Sequence, residues 1–322
     1  MYAINVDENK SMHWTEVPDL EAGPGEVLIQ VKATAINRAD LMQRQGMYPP
    51  PPGASAVLGL ECAGTIVAVG EGVDRWRGGE DVCALLAGGG YAEYAAVPAG
   101  SVVSMPDGCS FKEAAALPEV YATAYLNLFM EAELKQGEKV ILHAGASGVG
   151  TAGIQLCKVF GNPVFITAGN QGKIEQCQAL GAQGGFDRHQ GSFLEAARVF
   201  AGDTGIDVIL DPVGGQYLAD NLKLLGLNGR LVLIGLMGGA KTEIDLSQLM
   251  MKRLRVIGST LRARPNVEKA AVMSALEQRV WPSLADGTIL PVIEAEFPIT
   301  EVERAYDLVA SNETVGKVVL TI

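Results

Sequence analysis

Basic residues are scarce in this chain. Its 322 residues carry 25 Lys and Arg against 37 Asp and Glu, a formal net charge of −12. Polyanions and anionic bilayers would be repelled overall, so nucleic-acid and membrane-surface binding are not expected. A small anionic ligand would need a local cluster of donors. Long apolar runs are also missing: no stretch approaches the roughly 20 residues that span a bilayer. The opening segment MYAINVDENK has neither a basic region nor an apolar run, which argues against secretion. The five cysteines (Cys62, Cys83, Cys109, Cys157, Cys177) are scattered without CxxC spacing. They read as buried thiols in a reducing compartment rather than as disulfides. The three histidines (His13, His143, His189) lie outside any metal-ligand spacing. These absences describe a cytoplasmic protein, and 48% hydrophobic content is enough for about two well-buried domains.

The first 120 or so residues read mostly as strand. EVLIQVKATAI (26–36), CAGTIVAVG (62–70) and YAEYAAV (91–97) are β-branched or alternating runs bounded by glycine-rich punctuation. Ser110 with Glu113 has capping-box spacing, and residues 120–132 have helical length. Four consecutive prolines, Pro49 to Pro52, predict a stiff extended loop. From Lys139 the texture changes. KVILHA, PVFITAG, IDVILDPVGG and GRLVLIG are short, nearly continuous apolar strands separated by helical stretches. That alternation predicts a parallel sheet covered on both faces, completed by LRVIGSTL (254–261). Capping boxes are expected at Ser192/Glu195 and Thr300/Glu303, with a long helix over 267–285 and a final strand VGKVVLTI.

HAGASGVGTAGIQ (143–155) offers two overlapping glycine frames for a dinucleotide-binding turn. In the frame Gly148, Gly150, Gly153, several residues separate strand from turn, and Gly153 falls on the apolar stripe of a helix. In the frame Gly145, Ser147, Gly150, the first glycine follows the strand directly. Gly145 then makes the tight turn, Ser147 occupies the close-approach position and Gly150 packs helix on strand. The backbone through Gly145, Ala146, Ser147, Gly148, Val149 and Gly150 would face a pyrophosphate at the helix N-terminus. An ordinary glycine turn without ligand is the plain alternative.

The acid that usually binds a ribose 2′-hydroxyl is missing after the second strand, where Ala168, Gly169 and Asn170 stand. Lys173 and Arg188 are nearby cations, unless each is simply a solvated surface charge. Together these features favour NADPH over NADH. Gly235, Leu236 and Met237 follow the fifth strand of the predicted sheet, where ligands approach strand ends; a plain turn is the other reading.

Seven segments together resemble one family. They are VKATAINRADLMQRQGMYPPPPGASAVLGLECAGTIVAVGEGV (31–73), GGYAEYAAVPA (89–99), ALPEVYATAYLNLF (116–129), HAGASGVG (143–150), LDPVGG (210–215), LIGLMGG (233–239) and VGKVVL (315–320). The chain resembles, over its whole length, a zinc-independent quinone oxidoreductase of the medium-chain dehydrogenase/reductase superfamily. The QRQGMYPPPPGA and AGASGVG versions are closest to the p53-inducible quinone reductase branch. Zinc alcohol dehydrogenases of the same superfamily use a cysteine where this chain has Asn37 and a histidine where it has Leu60 before Glu61. The four-cysteine lobe has no counterpart after Ala87 either, so no metal is expected.

The resemblance implies an α/β protein: a GroES-like, mostly β substrate domain (1–121 and 266–322) around a Rossmann doubly wound NADPH-binding domain (122–265). It implies a homodimer, with the active site in the cleft between domains. Tyr48 matches a family position at the cleft mouth, where it would stack on a flat acceptor or donate through its hydroxyl; an aromatic anchoring the proline loop is an equal alternative. Asn37, Asp40 and Thr123 match positions near the nicotinamide, although the first two also suit a local backbone cap and the third an ordinary helical threonine. Asp40 is expected to orient neighbours rather than act as a base. The implied activity is NADPH-dependent reduction of a quinone. An enone or enoyl (activated alkene) reductase and a non-catalytic NADPH-binding protein are the alternatives.

Overall fold

The computed structural model describes residues Met1 to Ile322, which divide into two compact units: Met1–Ala122 with Leu261–Ile322, and Thr123–Thr260. The return to the first unit therefore comes at Leu261, earlier than the 266 expected from the sequence. No helix is long and apolar enough to cross a membrane.

The first unit is built on a seven-stranded sheet. Its path runs Ile293–Pro298, Lys317–Thr321, Glu26–Ala35, Glu61–Val69, Asp81–Leu85 and Val102–Ser104, and Tyr94–Pro98 also pairs with Glu26–Ala35. The near-alternating run Glu26–Ala35 is central because it and the residue after it serve two clusters. Val27, Ile29 and Val31 pack with Ile66, Val82 and Val97, while Ile36, just beyond the strand, packs with Leu58, Tyr91, Tyr306 and Leu320. The last strand, Lys317–Thr321, runs antiparallel to Glu26–Ala35, with Val319 opposite Ala35. This pairing joins the two ends of the sequence in one sheet.

The second unit is a six-stranded parallel sheet in the order Gly184–Asp187, Val164–Ala168, Val140–Leu142, Ile206–Asp211, Leu225–Leu233, Arg255–Gly258. Numbered within the unit this is 3-2-1-4-5-6, the Rossmann order, whose reversal of direction lies between the first and fourth strands.

Several local expectations are corrected. Ser110 and Glu113 close a capping box, with the Ser110 amide donating to Glu113 Oε2 at 2.8 Å. The other two do not form. Ser192 Oγ accepts from the Leu194 amide and donates to Asp220, while Glu195 pairs with Arg198. Glu303 instead accepts from the Met12 amide and pairs with Arg44, and a 3₁₀ turn (Ile299–Glu301) opens that helix. Asp220, Met12 and Arg44 are tertiary partners that outcompete the local cap, whereas Arg198 lies one turn along the same helix as Glu195. The predicted helix over 267–285 is two helices, Asn266–Arg279 and Trp281–Ala285, because Pro282 lacks the amide that would continue the ladder. Residues 118–125 are α-helical, but Leu126–Glu131 widen into a π-turn.

Candidate active site

The glycine turn occupies the carboxyl end of Val140–Leu142, beside the point where the strand order reverses. The strand stops at Leu142, two residues before the sequence suggested, because His143 turns into a buried polar network and Ala144 takes φ 52°. Gly145 then donates its amide to Thr167 O at 2.9 Å, which ties the turn to the neighbouring strand. A Cβ on Gly145 would lie 2.5 Å from Ile166 Cβ. One on Gly150 would lie 2.4 Å from Gly145 O and 2.5 Å from Ala144 O. Neither the turn carbonyls nor a Cβ bonded directly to the Ile166 backbone can retreat as the far end of a flexible side chain can, so both positions require glycine. A Cβ on Gly153 meets movable methyls alone: Leu142 Cδ1 at 3.0 Å, Leu142 Cδ2 at 3.5 Å and Leu128 Cδ1 at 3.8 Å. The tight frame is Gly145 to Gly150.

Ser147 is the N-cap of the helix Gly148–Phe160, and its Oγ accepts from the Gly150 amide at 3.1 Å. The hydroxyl therefore holds the turn together, and its proton is still available to donate outward. The amides of Gly148 and Val149 open the helix and have no intrahelical acceptor. Ala146, between Gly145 and Ser147, is buried.

Behind the turn lies a relay that the sequence did not reveal. His143 Nε2 faces Asn221 Oδ1 at 2.8 Å, Asn221 Nδ2 donates to Asp211 Oδ2 at 3.0 Å, and Asp211 Oδ1 accepts from the Val213 and Gly214 amides. Because the Asn221 amide group donates to Asp211, its oxygen must accept, so His143 carries its proton on Nε2 and accepts from Thr167 Oγ1 at Nδ1 (3.1 Å). Burial pushes His143 down to about 4 and Asp211 up to about 6. The relay links the carboxyl ends of three strands. Gly235, Leu236 and Met237 join the same edge: the Met237 amide donates to Pro212 O, and Leu236 and Met237 are 56% and 57% exposed.

At the end of Val164–Ala168, Asn170 caps the next helix by accepting from the Lys173 amide. Arg188 is exposed, and its guanidinium lies within about 4 Å of the position a Gly169 side chain would occupy. Lys173 is largely buried in the first turn of the helix. His189, assigned no role from the sequence, donates from Nδ1 to Gly169 O at 2.7 Å. Thr123 offers its carbonyl to Asn127 Nδ2 at 2.7 Å, which leaves its side chain uncommitted by that bond.

In the first unit, Asn37 precedes the helix Arg38–Arg44, and Asp40 reaches back to accept from its amide at 2.8 Å. Asp40 also accepts from the Gly59 amide and Tyr91 Oη, and it is fully buried. Burial raises it to about 6. All of these bonds tie the carboxylate to groups of its own unit: the Asn37 and Gly59 amides and the Tyr91 hydroxyl. The Asn37 carboxamide is also held on both sides: Nδ2 donates to Glu61 Oε1 at 2.8 Å, and Oδ1 accepts from Lys317 Nζ at 2.7 Å. Lys317 and Glu61 form a buried ion pair at 2.7 Å, and the third ammonium proton goes to Ile36 O. Glu61 Oε2 accepts from the Glu119 amide at 2.9 Å, at the start of the helix Pro118–Tyr125.

Tyr48 is half-buried, with the Arg262 guanidinium 5.4 Å from its ring centroid and donating to its carbonyl at 3.3 Å. Arg262 also reaches Ala87 O and Gln43 Oε1. Lys317, Glu119 and Arg262 were not singled out from the sequence. A lone lysine inside the apolar strand VGKVVL, and a glutamate inside GLECAG, were the available signs of a buried pair.

Two family models match the chain: an alcohol dehydrogenase GroES-like domain over residues 23–107 and a zinc-binding dehydrogenase over 148–277. A quinone oxidoreductase from Rattus norvegicus is 31% identical over 297 residues, covering 92% of this chain and 88% of the relative. The chain belongs to the quinone oxidoreductase family of the medium-chain dehydrogenases/reductases. The family's scaffold extends to a synaptic vesicle membrane protein VAT-1 homolog of the same organism, 32% identical over 92% of this chain and 77% of that one. A solved structure of Escherichia coli quinone oxidoreductase complexed with NADPH superposes with a TM-score of 0.88 at 26% identity, covering both chains fully. This family of oxidoreductases binds nicotinamide cofactors, and the mostly β unit is its GroES-like domain. No group of three or more His, Cys, Asp or Glu in the chain could hold a metal ion.

Proposed function

We propose that this protein reduces quinones with NADPH, without zinc. The observation that carries the cofactor assignment is the pair formed by the glycine turn and the acid-free end of Val164–Ala168. Gly145 and Gly150 admit no Cβ against Ile166 and the turn's own carbonyls, so strand, turn and helix close tightly, and the Gly148 and Val149 amides at the helix N-terminus would direct their partial charge toward a pyrophosphate. Arg188 beside Gly169, with Lys173 a turn away, supplies positive charge where a 2′-phosphate would sit. Gly235, Leu236 and Met237 close the same strand edge. When bound, the nicotinamide supplies the hydride, and the chain's own task is orientation and exclusion of water.

Zinc-free chemistry is supported by the Asn37–Glu61–Lys317 set. An ammonium 2.7 Å from Asn37 Oδ1 already neutralises the buried carboxylate, and a divalent cation there would be repelled. Asn37 is thereby held rigid beside the acceptor, Asp40 fixes its backbone, and Tyr48 stacks on or donates to a flat acceptor. Thr123 takes its place near the nicotinamide. A homodimer in the cytoplasm accompanies this reading by family resemblance.

The test is an acceptor panel run with both cofactors. Rapid NADPH oxidation with small ortho- or para-quinones is expected, and Lys173→Ala with Arg188→Ala should weaken NADPH far more than NADH. Faster turnover of alkenals than of quinones at matched concentration would replace the substrate by an activated alkene. Tight NADPH binding without turnover of any acceptor would make the protein a binding module. Equal loss of both cofactors in the double variant would refute the 2′-phosphate site.

A further inference from the structure

Glu119 is partly buried as a residue, but it is the one acid of the first unit with a solvent-excluded carboxyl oxygen left unpartnered: Oε2 makes no hydrogen bond. Its backbone, by contrast, is fixed, because the amide donates to Glu61 Oε2 at 2.9 Å. Glu61 thus provides the negative charge that a helix N-terminus favours, and Glu119's own carboxyl gains little from the same dipole. The charged groups acting on it come from several elements of the unit. They are Glu61 and Asp40, which oppose its ionisation, and Lys317 and Arg262, which favour it, with burial as the largest influence. Lys269 and Tyr48 both sense the Glu119 charge as well. An acid with a solvent-excluded, unpartnered oxygen, within electrostatic reach of the tyrosine proposed to stack on the acceptor, is placed to give up a proton.

We propose that Glu119 is the general acid that protonates the reduced acceptor. This rests on the quinone reading above for its substrate, although an enolate from an activated alkene would take the same proton. Hydride addition brings two electrons and one proton to the acceptor and leaves a negative charge on oxygen. The Glu119 O–H bond breaks, a new O–H bond forms on that oxygen, and the electron pair stays on the carboxylate. Solvent water then reprotonates Glu119. Burial and the nearby Glu61 carboxylate hold the acid up to about 8, so it is still protonated at neutral pH. An acid held near the working pH is the form general catalysis needs.

Two measurements test this on the whole 322-residue chain. In the first, the infrared carboxyl band of the protonated acid is titrated in wild type and Glu119→Gln. A band that titrates near pH 8 and vanishes in Glu119→Gln is expected. If no Glu119 band persists above the ordinary carboxylate range, the proposal is overturned whatever the substrate proves to be. In the second, turnover is followed against pH with whichever acceptor the panel identifies. Wild-type kcat should fall above about pH 8, and Glu119→Gln should lower kcat about 10²-fold, with that alkaline limb lost and cofactor affinity unchanged. A Gln variant with full kcat and an intact alkaline limb would also overturn it. Failure of the quinone reading alone would show in the panel and leave the infrared titration intact.

Discussion

Replacing Lys317 by Met tests the centre of the first unit most directly. Met keeps the unbranched shape but removes three donors at once, those to Glu61 Oε1, Asn37 Oδ1 and Ile36 O. Both charges of the pair are almost completely excluded from solvent, at 4% and 0% side-chain exposure. Breaking a buried pair from one side leaves an uncompensated charge and costs about 3–5 kcal/mol. For a unit of this size each kcal/mol moves Tm by about 2–4 °C, so the transition of this unit should fall by about 6–20 °C in a calorimetric scan. Lys317→Met combined with Glu61→Gln should recover about half of the loss or more, since the stranded charge is gone. A single variant that loses less than about 1 kcal/mol would behave like an exposed pair and refute the reasoning. A double variant no more stable than the single would refute it too.

The two glycine frames are separated by paired variants: Gly150→Ala should weaken cofactor binding at least about 10-fold, and Gly153→Ala should bind normally and gain slightly in helix stability, read by cofactor titration and thermal melts. Ser147→Val removes the cap on the Gly150 amide, so about 1 kcal/mol of stability and part of the cofactor affinity or turnover should be lost with the fold intact; unchanged kinetics would leave Ser147 a small residue in a tight turn. The relay in the second unit gives a signed pH prediction. His143, lowered to about 4, contributes stability that is present above about 6.5 and lost as pH falls through 4. Asp211, raised to about 6, contributes stability that is present below about 3.8 and lost as pH rises through 6. The two slopes oppose, so wild-type stability of that unit should be nearly flat between pH 4 and 6.5. His143→Phe should make it rise on acidification and Asp211→Asn should make it fall, measured by denaturant titration at each pH; parallel slopes in all three proteins would exclude the relay.

The chain order of strands and helices was legible because each reports its own surroundings. Strands buried on both faces must be apolar throughout, so VFITA and VILD announced a parallel sheet, and the change of texture at Lys139 marked its start. The choice between glycine frames was also local, since it turned on the distance from strand end to turn. Side-chain partners were another matter. Ser192, Glu195, Thr300 and Glu303 have capping spacing, yet Asp220, Arg198, Met12 and Arg44 draw Ser192, Glu195 and Glu303 elsewhere. Local spacing specifies which bonds are available, and the partners that the fold or the next helical turn supplies select among them.

By itself the sequence determined the alternating α/β half, the position of the glycine turn, the absence of an acid after the second strand, and the family resemblance. Each depends on residues within one strand–turn–helix unit or on motifs that need no partner. Only the tertiary structure decided that Lys317 returns to Glu61 and Asn37, that Glu119 keeps an unpartnered buried oxygen, and that Asp40 is wholly committed to its neighbours. Those facts join positions up to 280 residues apart in the chain. No periodicity encodes them, because a buried charge is tolerated only where the fold brings it a counter-charge, and that pairing exists only once the chain has closed.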